Sequence, residues 1–528
     1  MSSVRNILFI MCDQLRWDYL SCYGHPTLRT PHIDALARKG VRFTNAYIQS
    51  ASCGPSRMSY YTGRYVSSHR AFGNFVPLPL DELTLGDYLR PQGIRVAVDG
   101  KTHIEAPPPQ VLSRLRIDPQ STAGQLIAEG GFEPFDRHDG VLADPQDPEA
   151  LSNKYTKFLR EHGYDSINPW LDYANSAQGE DEAVLSGWNM RYADLPARVA
   201  EQHSETAYAT DRAMEFMTEQ GEQPWCLHLS YIKPHWPYVA PHPYNSMYGP
   251  ADVIPAVKAD IERADPHPLY ASYLKHRASV TFGDQATREK VIPTYMGLIS
   301  QIDDHLGRLF EFMEKSGRSK DTLIVFCSDH GDYLGDHHLG EKELWHDTVI
   351  KVPLIVYDPS EAAQATQGKS CDAFVEAVDM LPTFLDALGI AHAGDVIEGK
   401  SLLPLLRDVD GTPLRDFAIS EFDYSFRTFT RRELNRPVKN CRMIVLRDKK
   451  WKFIFCEGMR PLLFDLQADP DEFHDLGADG RHQAIIEQYQ SKIALWLSQR
   501  KTKTTVPDEF VENWLGLPRF QGMKIGEW

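Results

Sequence analysis

Two pairs of side chains in this sequence have the chemistry of a hard-metal site. Asp13-Gln14 and Asp329-His330 each follow a short apolar run, and together they supply two carboxylates, an amide oxygen and an imidazole. Carboxylate and amide oxygens suit Ca²⁺, Mg²⁺ or Mn²⁺, and the imidazole shifts the preference toward Mn²⁺. Each aspartate could instead cap a neighbouring helix. Two such pairs on separate strands favour a site for one divalent ion, with Ca²⁺ or Mn²⁺ expected.

A second set of side chains is cationic or can become so. Its members are Arg57, Lys101, His103, His235 and Lys342. A lone lysine or histidine is usually a solvated surface residue, but four of these five lie in or just after strand-end clusters or in the motif around Cys53. Such local positive charge predicts a site that holds an anionic group by charge-assisted hydrogen bonds.

Cys53 is the candidate nucleophile, and it opens the motif CGPSR at residues 53–57. Pro55 is placed for the first turn of a helix that we predict to run to about Thr62. That helix N-terminus and Arg57 would favour a thiolate, yet a thiolate is a poor match for a hard metal ion. The site therefore calls for an oxygen nucleophile, which an unmodified cysteine cannot supply.

Short apolar runs, predicted to be β-strands, must position these side chains. The runs are Ile7–Met11, Ile94–Val98, Trp225–Tyr231 and Leu323–Cys327, and segments with helical periodicity lie at Pro31–Lys39, Ala197–Glu219, Val291–Lys315 and Asp379–Leu388. Strands that alternate with helices predict an α/β fold, with a mostly parallel sheet between two layers of helices. Ligands of such sheets bind beyond the carboxyl ends of the strands, so we expect one active site at that edge.

Two domains are predicted: a catalytic α/β domain at residues 1–410 and a small α+β domain with a short antiparallel sheet at residues 411–528. The second domain is inferred from a hairpin at Arg442–Arg447 and Lys450–Cys456, a third strand at Leu462–Leu466 and a helix at Gln483–Ser498. Residues 104–190 and Pro241–Phe282 are predicted to form a lid or walls over the sheet edge. The aromatic tail Thr502–Trp528 is expected to pack on its own domain or on a neighbouring subunit.

Composition excludes several classes of function. The 528 residues carry a net charge of −17, so a general basic surface for nucleic acid or anionic lipid is absent. No apolar run reaches 18 residues, which argues against a membrane-spanning helix, and the apolar N-terminal run meets Asp13 too soon for a signal peptide. The eight scattered cysteines, with no CxxC pair, indicate a reducing compartment. We therefore expect a cytoplasmic protein.

The motif at Cys53 carries a family resemblance. CGPSR with TGRY after it resembles the CxPxR signature of the type I (formylglycine-dependent) sulfatases of the alkaline phosphatase superfamily, and the likeness extends through NILFIMCDQLRWD, GKTH, KPHWPY and SDHGDYLGDHHLGEK. Asp13-Gln14, Asp329-His330 and HWPYVAPHPYNSMY are similar to the subgroup of bacterial arylsulfatases and phosphonate monoester hydrolases. Lys101 and His103 depart from the phosphonate hydrolases, which have Tyr and Thr there, and match the GKxH of ordinary sulfatases.

This resemblance implies a mechanism. A formylglycine-generating enzyme or another maturase would oxidise Cys53 to formylglycine, whose hydrate attacks the substrate. The implied metal ligands are Asp13, Gln14, residue 53, Asp329 and His330. His235 or Lys342 would offset the charge on the leaving oxygen, with His235 preferred as general acid. Arg57 and Lys101 would orient the nucleophile, and His103 would take the proton that lets the intermediate collapse and expel sulfate.

Hydrolysis of small anionic esters, namely aryl or other sulfate monoesters, is the first prediction. Hydrolysis of phosphonate monoesters or phosphodiesters in the same site is the alternative, and one site could perform both. A third alternative is a catalytically silent binding protein in which Cys53 is unmodified. A transferase of the same superfamily is disfavoured, because those enzymes use Ser or Thr as nucleophile. The family likeness and the aromatic tail predict a homodimer or homotetramer.

Overall fold

The computed structural model describes residues 4–138, 153–392, 394–501 and 508–513. Its strands are β1 (Asn6–Asp13), β2 (Val41–Tyr47), β3 (Arg95–Gly100), β4 (Glu133–Arg137), β5 (Ser176–Gln178), β6 (Val184–Ser186), β7 (Trp225–Pro234), β8 (Thr322–Ser328), β9 (Leu354–Tyr357), β10 (Ser370–Glu376), β11 (Phe417–Asp423), β12 (Arg442–Asp448), β13 (Trp451–Cys456) and β14 (Leu462–Asp465). Its α-helices are α1 (Pro31–Lys39), α2 (Cys53–Thr62), α3 (Val66–His69), α4 (Leu85–Leu89), α5 (Pro109–Leu115), α6 (Thr122–Ala128), α7 (Lys154–Glu161), α8 (Glu205–Gln220), α9 (Pro268–Tyr273), α10 (Arg277–Phe282), α11 (Gln285–Lys315), α12 (Asp347–Ile350), α13 (Met380–Ala387), α14 (Leu403–Arg407), α15 (Thr428–Glu433), α16 (Gln483–Ser498) and α17 (Asp508–Glu512).

The central sheet has eight strands in the order β10-β2-β9-β8-β1-β7-β3-β4. All strands run in the same direction except β9, which is antiparallel to both β2 and β8. The strands predicted from the sequence form the middle of this sheet as β8, β1, β7 and β3. Every residue of β1, β7 and β8 is buried, which explains why each appears in the sequence as a continuous apolar run.

Helices cover both faces of the sheet, as predicted, and the side chains of β1 show the two layers. Ile7, Phe9 and Met11 point to the face covered by α2 and α13, where the ring of Phe9 meets Tyr60 and Phe384. The alternate residues of β1 point to the opposite face, which is covered by α1, α8 and α11. This period of two is the one expected of a strand between two apolar layers, and the predicted α/β class is confirmed.

Two helix boundaries differ from the prediction because polar caps set them. Helix α8 begins at Glu205 rather than near residue 197, since the side chain of Ser204 accepts a hydrogen bond from the backbone N–H of Ala207. Helix α11 begins at Gln285, before the predicted start, because Asp284 caps it by accepting from the N–H groups of Ala286 and Thr287. Side-chain caps of this kind satisfy N–H groups that the first turn leaves free.

The region at residues 104–190 contributes to the sheet, contrary to the expectation that it only covers the edge. Strand β4 lies within it and pairs in parallel with β3 as the edge strand. Its sequence, EPFDR, is polar and short, so it lacks the apolar pattern by which a strand is recognised. The remainder of this region that the structure describes forms α5, α6, α7 and the small β5-β6 sheet.

A second antiparallel sheet follows the catalytic region, with strand order β11-β12-β13-β14. Helix α16 packs on it through Ile486, Tyr489, Ile493 and Trp496. The first strand, β11, was missed from the sequence, and it contacts the segment just after β2 through the Glu421 N–H, which donates to the carbonyl of Gln49 at 2.7 Å. The division of the chain into domains at residues 410 and 411 stays a prediction.

The predicted aromatic tail falls mostly on residues that the structure does not describe. Trp514, Phe520 and Trp528 lie outside the described residues, and α17 is the part of the tail whose backbone is described. The packing predicted for this tail is therefore untested. Among the helices of the described ranges, none combines the length and the apolar character needed to cross a membrane.

Candidate active site

Four neighbouring strands deliver the candidate side chains to one edge of the sheet. Strand β1 ends at Asp13, and β8 ends one residue before Asp329. Strand β3 ends just before Lys101, and β7 ends just before His235. Because β8, β1, β7 and β3 are adjacent and parallel, their carboxyl ends meet, as the sequence predicts.

Two of the turns after these strands have an unusual backbone. Gln14 has φ 64° and His103 has φ 53°, in the left-handed region that residues other than glycine seldom adopt. Such conformations persist where the surrounding structure holds them, and they are common at functional sites. Here they reverse the chain directly after β1 and soon after β3, next to the predicted ligands.

Cys53 is the first residue of α2 and lies in the middle of the cluster. Its Sγ is 3.1 Å from Nε2 of His330, 3.0 Å from Nζ of Lys342 and 3.9 Å from Oδ1 of Asp13. Candidate ligand atoms of Asp13, Cys53, Asp329 and His330 all lie within 4.8 Å of one another, and all four residues are buried. The side chain at position 53 thus belongs to the predicted metal-ligand set.

The donor set fits a hard divalent ion. It combines carboxylates, an imidazole and the amide oxygen of Gln14, which are ligands that such ions accept. The ammonium of Lys342 lies 3.2 Å from Oε1 of Gln14 and 3.2 Å from Nε2 of His330, so these lone pairs already face a positive charge. The thiol is the one poorly matched donor, and an oxygen at position 53 would complete the set.

Arg57 holds the two carboxylates in place. Its Nε donates to Oδ2 of Asp329 at 2.8 Å, and its Nη2 lies 3.4 Å from Oδ2 of Asp13. Its Nη1 donates to the carbonyl of Lys101 at 2.7 Å and to Oγ of Ser230 at 2.8 Å. Buried charges require paired and hydrogen-bonded partners, and this fully buried guanidinium therefore fixes the geometry of both candidate acidic ligands.

The local field favours negative charge at position 53. Burial alone would raise the pKa of the Cys53 thiol, but Lys342, Lys101 and His330, with a hydrogen bond from His103, lower that pKa well below its ordinary value. Burial and the neighbouring Cys53 raise the pKa of Asp13, but Lys101, which donates to its Oδ2 at 2.5 Å, together with His235 and Arg57, holds it well below its usual range. Around the predicted reacting atom, the cations thus lower the pKa values of Cys53 and Asp13 by more than burial raises them.

His235 and Lys342 form a pair above Cys53. Nζ of Lys342 is 3.3 Å from Nε2 of His235, and Nδ1 of His235 lies 2.6 Å from the carbonyl oxygen of Trp236. The carbonyl can only accept, so Nδ1 carries a hydrogen and Nε2 faces the site. Burial lowers the pKa of His235 to about 4, which leaves the imidazole neutral and Lys342 as the charged member of the pair.

Several supporting residues were not predicted from the sequence. Asp332 accepts hydrogen bonds through Oδ2 from Nε2 of Gln14 and from the hydroxyl of Tyr238, each at 2.5 Å, and so turns the amide oxygen of Gln14 toward the site. Oδ1 of Asn74 accepts from the N–H of Gly54 at 2.9 Å. Asp332 lies inside the motif SDHGDYLGDHHLGEK, which was the available signal, whereas nothing in the sequence marked Asn74.

The aromatic residues beside His235 have different roles. Tyr238 is buried and packs in the core, and its hydroxyl also donates a hydrogen bond to Asp332. The Trp236 ring stacks on the His235 imidazole, with centroids 5.2 Å apart and an interplanar angle of 20°. All residues predicted to act in catalysis or to bind metal are thus brought to one cluster around residue 53.

Comparison with known proteins agrees with this arrangement. The family model described as Sulfatase matches residues 5–390, and the model for the C-terminal region of N-sulphoglucosamine sulphohydrolase matches residues 335–499. The chain is 32% identical to the multifunctional alkaline phosphatase superfamily protein PehA of Trinickia caryophylli, over 95% of this chain and 96% of that protein. It is 26% identical to the choline-sulfatase of Rhizobium meliloti, over 97% of this chain and 90% of the relative.

Solved structures show the same likeness. The phosphonate monoester hydrolase SpPMH from Silicibacter pomeroyi superimposes with a TM-score of 0.82 at 28% identity, covering 95% of this chain and 97% of that chain. The fold and the clustered strand-end site thus define a hydrolase of the alkaline phosphatase superfamily. Within that superfamily the chain belongs to the sulfatase family, which makes it a sulfuric ester hydrolase by class.

Proposed function

We propose that this protein hydrolyses sulfate monoesters with a nucleophile derived from Cys53. The observation that carries the proposal is the position of Cys53, buried at the start of α2 with Lys342 at 3.0 Å and His330 at 3.1 Å from its Sγ. This arrangement surrounds one side chain with cations and hard-metal ligands. It favours an anionic tetrahedral group bound directly over residue 53.

Oxidation of Cys53 to formylglycine reconciles the nucleophile with its surroundings. The aldehyde replaces the soft sulfur with oxygen, and its hydrate offers one hydroxyl for attack and a second for release of the product. Asp13, Gln14, Asp329 and His330 would hold a divalent ion beside this hydroxyl, with Arg57 positioning the two carboxylates. When bound, such an ion lowers the pKa of a coordinated hydroxyl and offsets charge on a substrate oxygen.

The remaining groups are proposed to manage charge and protons. Lys342 lies between the reacting position and His235, so its ammonium can stabilise charge on the leaving oxygen. His235 would act as general acid by donating to the leaving oxygen a proton that its Nε2 has taken up from solvent. His103 would accept a proton from the second hydroxyl, a role supported by its hydrogen bond to the side chain of residue 53. A well-placed acid or base of this kind accelerates a reaction by about 10²–10⁴-fold.

Phosphonate monoester hydrolysis is the second candidate activity. It is favoured by the likeness to the phosphonate monoester hydrolase from Silicibacter pomeroyi, at a TM-score of 0.82. Sulfate remains the first choice because Lys101 and His103 follow β3, where the sulfatase resemblance places them. Both reactions transfer an anionic tetrahedral group, so the same cluster could serve both.

The ratio of kcat/KM for a sulfate ester to kcat/KM for a phosphonate ester tests whether sulfate is the preferred substrate. We expect kcat/KM for 4-nitrophenyl sulfate to exceed that for 4-nitrophenyl phenylphosphonate by about 10-fold or more, which corresponds to about 1.4 kcal/mol of transition-state stabilisation. The leaving group is the same in both esters, so the ratio reports on the transferred group. The Cys53→Ala variant, purified in parallel, gives the contribution of contaminating hydrolases. A ratio that favours the phosphonate would reverse the two assignments.

A further inference from the structure

A cavity of about 470 Å³ shares one residue, Lys342, with the cluster around the proposed reacting position. Lys342 forms part of its lining, and Nζ of that residue is 3.0 Å from Sγ of Cys53. Another wall comes from residues 426–429, at the end of the segment after β11 and the start of α15. An ester bound over residue 53 with its leaving oxygen near Lys342 would therefore extend its organic group into this cavity.

Exposed aromatic rings form one rim of the cavity. Phe426 and Phe429 line it, with exposed fractions of 50% and 55%, and Phe75, on the loop after α3, lies outside the lining but next to Phe426 and is 70% exposed. The Phe426 ring contacts the ring of Phe75 at a centroid distance of 5.8 Å and that of Phe72 at 6.1 Å. Clustered large apolar side chains left in solvent mark binding sites more often than single exposed ones do.

The aromatic rim is fixed to the reacting position. Asn74 lies between Gly73 and Phe75, and its Oδ1 accepts a hydrogen bond from the N–H of Gly54 at 2.9 Å. Phe426 rests on the backbone of Gly73, where a Cβ atom would lie only 2.8 Å from Cε2 of the ring. The rings are thus held in position before any ligand binds, which limits the entropy lost on binding.

Charges around the cavity are largely balanced. Arg427 donates through Nε to Oε1 of Glu343 at 2.7 Å, and Lys275 pairs with Glu433. Arg277 and Glu341, which also line the cavity, have opposite charges. With the ammonium of Lys342 directed at residue 53, the cavity combines two aromatic faces with polar groups whose formal charges largely cancel. Such a surface suits a planar uncharged group better than a polyanionic or strongly cationic one.

We propose that this cavity is the leaving-group subsite and that Phe426 and Phe75 select esters with an aromatic leaving group over alkyl esters. The inference rests on the proposed function, because it takes residue 53 as the reacting position. It assigns specificity to a loop of the second sheet and to the loop after α3. Neither side chain takes part in the chemical step. Each ring contact of this type contributes about 2- to 10-fold in affinity.

Two sulfonates that cannot be hydrolysed test the subsite directly. Phenylmethanesulfonate and propane-1-sulfonate carry the same charge, and a carbon replaces the ester oxygen in both. We expect calorimetric titration of the full-length mature enzyme to show tighter binding of the phenyl compound. The double substitution Phe426→Leu and Phe75→Leu should reduce that preference by about 10-fold and change the Kd of propane-1-sulfonate by less than about 2-fold. Leu495→Ala, at a half-exposed position on α16, is the control and should leave the preference unchanged.

Equal affinity of the wild type for the two sulfonates, or a preference that survives the double substitution, would overturn the subsite. Because both rings are at least half exposed, the variants are expected to fold, and a thermal unfolding scan checks this. Phe75→Leu alone serves if the double variant is unstable. Turnover of an aryl sulfate is measured on the same wild-type sample. If the double substitution removes the preference but the wild type does not turn over the aryl sulfate, the subsite stands and the proposed function fails. If the wild type turns over the aryl sulfate but the double substitution leaves the preference unchanged, the proposed function stands and the subsite fails.

Discussion

Replacing Cys53 with alanine is expected to reduce kcat by about 10⁴-fold or more, a loss typical of removing the nucleophile from an assembled active site. The side chain is almost completely buried and small, so the substitution leaves the surrounding fold intact. Asp13, Asp329, His330 and Lys342 would remain in place around an inert methyl group. The measurement is the steady-state rate with 4-nitrophenyl sulfate, with thermal unfolding as the check on folding.

Cys53→Ser is the matched comparison. Serine supplies one hydroxyl but, without further modification, no second one, so the covalent ester that it forms cannot collapse to an aldehyde. We expect at most a single turnover, seen as a burst of one equivalent of 4-nitrophenol followed by no steady rate. Appreciable multiple turnover by Cys53→Ala would contradict the assignment of residue 53 as nucleophile.

Asp329→Asn is expected to remove the bound divalent ion and to lower kcat/KM by about a thousandfold. The change keeps the shape of the side chain, and its oxygen can still accept from the N–H of Gln14, which donates to Oδ1 of Asp329 at 3.0 Å. It removes the charge that would bind a metal ion and that pairs with Arg57. A metal ion acting as Lewis acid supplies several kcal/mol of charge stabilisation, which corresponds to this loss in rate.

Metal content separates this effect from a general loss of stability. After dialysis against buffer, elemental analysis should find about one divalent ion per chain in the wild type and much less in Asp329→Asn. Asp379→Asn is the matched control, because Asp379 is also buried and pairs with Arg415, at 2.5 Å from Nη1. That variant should lose stability but keep its metal. Equal metal content in all three proteins would contradict a metal site at Asp329.

The centre of the fold could be predicted because its strands are buried on both faces. Thr322–Ser328 and Trp225–Pro234 are buried throughout, mainly apolar, and followed by polar clusters, so both the strands and their functional ends were visible in the sequence. The outer strands were not visible. Leu354–Tyr357 has only four residues and runs antiparallel, and Glu133–Arg137 is a polar edge strand. Their place in the sheet depends on tertiary pairing rather than on local pattern.

The candidate site, like the fold, was predictable from the sequence only in part. The side chains that would meet metal or substrate are chemically distinctive and follow strands, so the sequence pointed to them. Residues that position them are ordinary by type. Asn74 and Ser230 reach Gly54 and Arg57 across long stretches of chain, and the ring of Phe426 meets Gly73 only after the second sheet has packed. Such contacts are set by the fold, and no spacing rule announces them.

The mass of the peptide that contains residue 53, taken from active enzyme, tests the account most directly. Conversion of the cysteine to formylglycine replaces H₂S by oxygen in net composition, so the peptide should be about 18 Da lighter than the unmodified sequence. The fraction converted should follow the specific activity across preparations matured to different extents. Full activity in a preparation whose residue 53 is entirely unmodified cysteine would contradict the account.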